Sequence, residues 1–84
     1  MDRKYKTSHQ GIAAYLLTKG YDILRTEQGT NKGGKACTFI EFDVDQTTGR
    51  QLGDAFFEGR VNGDLKQFHD ACFTIRNTVY DARK

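Results

Sequence analysis

The stretch Lys35-Ala36-Cys37-Thr38-Phe39-Ile40-Glu41-Phe42-Asp43-Val44 alternates along its length. Thr38, Ile40, Phe42 and Val44 take one side, and Cys37, Phe39, Glu41 and Asp43 the other. A period of two is the mark of a strand with one buried face. Upstream, Tyr21-Asp22-Ile23-Leu24-Arg25-Thr26-Glu27 is short and holds β-formers, which predicts a second strand. Between them Gln28 to Gly34 forms a loop with three glycines, Asn31 and Lys32. Seven loop residues cannot make a parallel crossover, so the two strands form an antiparallel hairpin.

Helices flank this hairpin. Thr7-Ser8-His9-Gln10 has the capping-box form, and Ile12, Ala13, Tyr15, Leu16 and Leu17 follow at helical spacing before Gly20, which predicts a helix over 8–19. Thr48-Gly49-Arg50-Gln51 repeats the box and opens a second helix, with Leu52, Ala55, Phe56 and Gly59 on its buried stripe and Phe57 beside it. Asn62-Gly63 breaks that helix, and Asp64 caps a third. Along it Leu65, Phe68, Cys72, Ile75, Val79 and Ala82 step by three and four, while Phe73 and Tyr80 widen the apolar face. The expected fold is a small two-layer α+β domain over residues 1–84, in the order α-β-β-α-α, with the hairpin packed on three helices. Residues 1–6 read as a flexible basic tail, with Tyr5 a candidate anchor.

Composition narrows the chemistry. Eighty-four residues with 37% hydrophobic and 29% charged content make one domain near the lower size limit for independent folding. No apolar run reaches the roughly 18 residues of a membrane span, and no segment has a signal-peptide layout, so the expected location is cytoplasmic. Thirteen Lys and Arg against eleven Asp and Glu give +2, a balance too even to name a partner. Cys37 and Cys72 have no further ligands near them and read as small buried hydrophobes. His9 and His69 stand far apart in sequence, so neither a metal site nor a cofactor is expected.

Two stretches imitate catalytic motifs. Gly29 to Ala36 nearly spells a phosphate loop, but Ala36 stands where a hydroxyl must hold Mg²⁺, and a strand follows where a helix is needed. Asp43-Val44-Asp45-Gln46-Thr47 matches the aspartate signature of haloacid-dehalogenase phosphatases over five residues, without the parallel sheet or downstream motifs of that chemistry. As a calcium loop it has Thr48 where the turn needs Gly and Asp54 where the bidentate Glu belongs. The plainer reading is that both aspartates end the strand and place negative charge near a helix N-terminus. No enzyme is expected.

Thr7, Ser8, Ala13, Ala14, Tyr15, Leu16, Leu17, Lys19 and Gly20 open a longer pattern. Phe39-Ile40-Glu41-Phe42-Asp43, Leu52, Phe56, Phe68, Val79 and Tyr80 continue it. Together they resemble a family of short uncharacterised proteins of bacteria and their phages, classed as a domain of unknown function. The resemblance implies the α-β-β-α-α fold and a phage or prophage origin. It implies no activity and no site residues.

The function these features fit best is a non-enzymatic protein-binding module with an unidentified partner. Spare edges of a two-stranded hairpin suit strand addition, and joining two hairpins favours a homodimer. The alternative is a nucleic-acid accessory or regulatory protein that contacts phosphates through Arg3, Lys4, Lys6, Lys32 and Lys35. A small-ligand sequestering protein with an interface pocket is a further alternative.

Overall fold

The computed structural model describes residues 3–61 and 63–82. Asn62, which the sequence reading places at the break between two helices, lies outside them, as do the first two residues of the expected tail. The elements run β1 (Lys4–Thr7), α1 (Gln10–Thr18), β2 (Ile23–Thr30), β3 (Ala36–Asp45), α2 (Gln46–Phe57) and α3 (Leu65–Ala82). The α+β class, the antiparallel hairpin and the three helices are as the sequence predicts.

Three corrections accompany that agreement. The segment read as a flexible tail contains a strand, so the order is β-α-β-β-α-α and the sheet has three strands, β1-β3-β2. Both outer strands are antiparallel to β3, with Thr7 opposite Ile40 on one side and Thr26 opposite Ile40 on the other. Secondly, α1 is capped by His9, whose Nδ1 accepts from the Ile12 N–H at 3.2 Å, while the Thr7 hydroxyl accepts from the His9 N–H. Thirdly, α2 begins at Gln46 because Asp45 caps it, its carboxylate accepting from the Thr48 N–H at 2.9 Å. Thr48 therefore lies inside the helix. The expected cap at α3 is present: Asp64 Oδ1 accepts from the Lys66 N–H at 2.9 Å.

The inward row of β3 faces the helices. Ile40 and Phe42 are fully buried, Thr38 and Val44 nearly so, and they meet Ile12, Leu16, Ile75 and Val79 from α1 and α3. Buried Thr38 donates to Gln28 Oε1 at 3.2 Å, and Gln28 Nε2 donates to the Ala82 carbonyl at 3.1 Å, which ties β3 through β2 to the end of α3. The other sheet face is open and carries ion pairs around Phe39, which lies over Gly29. Cys37 is on that open face and only half-buried, as is Cys72 at the edge of the core, so neither is the fully buried residue expected.

What holds β1 in place is a close approach. Tyr5 points toward the helices and lies on Gly49 of α2, where any Cβ would overlap its ring, with its hydroxyl beside Gly53. These two glycines, not Leu52 or Phe56, are the fully buried residues of α2. A helix with glycine at its contact face costs propensity, about 1 kcal/mol each, and allows the backbone to approach. G49A is expected to cost about 1–3 kcal/mol by overpacking, several degrees in thermal midpoint. G33A, where the nearest atom to a Cβ is Asn31 Oδ1 at 3.4 Å, is expected to change little. Thermal unfolding followed by circular dichroism checks both, and equal midpoints would mean that the contact of Tyr5 with Gly49 does not hold β1 in place.

Candidate functional site

The imitated motifs resolve into local structure. In the Gly29–Ala36 stretch Asn31 Oδ1 accepts from the N–H groups of Gly33 and Lys35, at 2.9 and 3.1 Å, and Asn31 N–H donates to the Lys35 carbonyl at 2.9 Å. That closes a hairpin tip, and β3 follows it directly. Asp43 accepts from Lys4 at 2.9 Å, and Asp45 is committed to capping α2. Among the described residues no three His, Cys, Asp or Glu side chains cluster to hold a metal ion.

The five cations proposed for a polyanion do not converge. Arg3, Lys4 and Lys6 line a cleft of about 390 Å³ between β1 and α2, together with Arg50 and Asp54. Lys32 and Lys35 lie at the hairpin tip, beyond the Ala36 end of β3, whereas β1 pairs with its Ile40–Asp45 half. Those ends are about 3.4 Å apart per residue of strand, which separates Lys6 from the tip by some 15–20 Å. Within the cleft group, Lys4 is paired to Asp43 and Lys6 to Glu27, at 2.9 and 3.0 Å. The Lys6 hydrogen bond and charge hold the Glu27 carboxyl below the usual carboxylate range. Arg3 and Arg50 have no ion pair among the described residues.

A second concavity, of about 310 Å³, opens between the end of α1, the α2–α3 connection and the start of α3. Tyr15, Phe56 and Phe68 are among its lining residues, with ring centroids 6.0 Å apart for Tyr15–Phe56 and 6.2 Å for the near-parallel Phe56–Phe68 pair. Lys19 Nζ stands 5.2 Å from the Tyr15 ring centroid, and Val61 and Leu65 complete the apolar lining.

Large apolar side chains are exposed around and beyond this groove. Leu65 is 85% exposed, Phe57 67%, Tyr80 65% and Phe73 55%. On α3 the row Leu65, His69, Phe73, Arg76, Tyr80 is spaced by four, four, three and four residues. It lies about 120° around the helix from the buried row Ala71, Ile75, Val79. Arg76 lies over the Phe73 ring at 5.9 Å and His69 meets its edge at 6.3 Å. Leu65, Phe73 and Tyr80 were expected in the core, and here the structure corrects the sequence reading. The signal was available: the apolar arc of α3 is too wide for a single buried face.

Compared with protein-family models, with curated proteins and with solved structures, the chain gives no significant match. Its class is that of a small α+β domain. No helix among the described residues is long and apolar enough to cross a membrane.

The acids give a pH test. Hydrogen bonds from Thr48 hold the Asp45 carboxyl below the usual range, as Lys6 does for Glu27. Both titrate lower in the folded chain than in the unfolded one, so the unfolded chain binds more protons as pH falls. Their stabilisation is complete above the unfolded values, near pH 4, and is lost as pH falls through the folded ones. D45N, which keeps a capping oxygen, is expected to match the wild type at pH 7 and to show a shallower loss of stability between pH 5 and 2.5. An unchanged acid slope in D45N would detach Asp45 from acid stability.

Proposed function

We propose that this chain is a non-enzymatic protein-binding module whose partner docks on its helical layer. The observation that carries the reading is the second apolar row of α3, which the domain leaves exposed next to an aromatic groove. Several large apolar side chains exposed on one helix face, as Leu65, Phe73 and Tyr80 are, mark interaction sites, and burying one of them contributes about 1.5–3 kcal/mol. Tyr15, Phe56 and Phe68 offer the groove to an apolar side chain of the partner, with Leu65 at its mouth and Phe73 and Tyr80 extending the contact along α3. A phosphate-binding role draws less support, because Lys4 and Lys6 are already ion-paired and Lys32 and Lys35 sit apart from them.

The test is affinity capture of the full chain from host lysate after nuclease treatment, followed by titration of the captured protein against variants. L65D and F73D are expected to weaken binding at least about tenfold, as central apolar anchors do. The double variant K32E/K35E is expected to bind as the wild type does. Capture abolished by nuclease, or by K32E/K35E and not by F73D, would overturn the reading in favour of nucleic acid.

A further inference from the structure

The outer edge of β2 is the longest unpaired strand edge among the described residues. β3 is covered on both sides, β1 is four residues long, and β2 runs for eight. An edge of that length is a template for pairing with another chain unless its side chains forbid it.

On β2 the side chains select a particular partner. Arg25 and Glu27 project from the open sheet face, where Arg25 meets Glu41 at 3.3 Å and Glu27 meets Lys6 at 3.0 Å, and both remain exposed. One residue, Thr26, separates this cation from this anion. In an antiparallel pairing with a second β2 about a two-fold axis at Thr26, each Arg25 stands directly opposite Glu27 of the other copy. Sliding the pairing by two residues sets either Glu27 against Glu27 or Arg25 against Arg25, and like charges directly opposite are unfavourable. The edge is therefore complementary to itself, and in one register among these three.

We propose that β2 pairs antiparallel with β2 of a second copy of this chain, Arg25 opposite Glu27 about a two-fold axis at Thr26, forming a six-stranded sheet. The two symmetric charge pairs continue the ion-pair rows already present on the open face: Lys6–Glu27 and Arg25–Glu41 in one copy join those of the other. Leu24, exposed in the single chain, comes to lie opposite Gln28 within the seam. The interface is isologous, as a closed dimer requires. This inference uses a different element from the helical partner surface and does not rest on it.

Sedimentation equilibrium of the full chain at micromolar concentration reads the result, with circular dichroism to establish that each variant is folded. The wild type is expected at twice the 9.5 kDa chain mass. R25E and E27R alone each set two like-charge pairs across the axis, and each is expected to weaken association at least about tenfold. Mixed one to one, they restore opposite charges at both positions and are expected to form a heterodimer. A wild type that stays at the single-chain mass, or a mixture that stays monomeric while both variants are folded, overturns the proposal. Should either charge variant unfold, oxidation of T26C and E27C in a C37S/C72S background decides instead. T26C is expected to give a covalent dimer, since its copies meet on the axis, and E27C is not; the reverse pattern would overturn the register and with it the proposal.

Discussion

The inward row of β3, Thr38, Ile40, Phe42 and Val44, is the surface against which the other elements are placed. A chain of 84 residues has material for one such floor and one helical layer above it. β3 is also the strand with hydrogen-bonded neighbours on both sides, so a change there is felt in β1, in β2 and in the helices together. The burial of Ile40 and Phe42 fixes which way β3 faces, because a one-residue slip would turn both side chains to solvent. From that choice follow the exposure of Glu41 and Asp43 on the other face and the ion pairs they make with Arg25 and Lys4.

The two faces of the domain consequently differ in chemistry. The open sheet face is a lattice of alternating charges around one aromatic ring, Phe39. The helical face carries the exposed Leu65, Phe73 and Tyr80 and the aromatic groove. Isolated surface ion pairs contribute little to stability, so the charged lattice is better understood as a means of keeping a one-layer face in water without aggregation. Of the exposed rings on the helical face, Phe73 is partly covered, by the Arg76 guanidinium.

Much of this was legible in the residues. The alternation over 35–44 gave away β3 and its inward row, and the three-and-four spacing from Phe68 to Val79 gave away α3 with its buried side. β1 was not legible, since four residues hold only two inward side chains, Tyr5 and Thr7, and the partner strand lies some forty positions on. The starts of α1 and α2 were displaced because several capping side chains compete there. Where β3 pairing stops at Asp45 decides in favour of the aspartate over Thr48, and the turn after β1 decides in favour of His9 over Thr7. The apolar row of α3 was visible as residues but not as a surface, because hydrophobicity alone does not say which neighbour is missing. Gly49 and Gly53 carry no signal of their role in sequence, because that role depends on Tyr5, more than forty positions away, lying against them.

That Tyr5 seat also sets an order of events during synthesis. β1 leaves the ribosome before the other two strands of its sheet, yet the residues it pairs with, Ile40 to Asp45, follow more than thirty positions later, and Gly49 and Gly53 later still. The β2–β3 hairpin needs only a short loop to close, so local pairing reaches β3 first and β1 joins a sheet edge already made. The earliest of the three strands is thus completed after its neighbours. A nascent chain that stops short of residue 53 holds a β1 with a strand to pair with and no finished surface for its tyrosine.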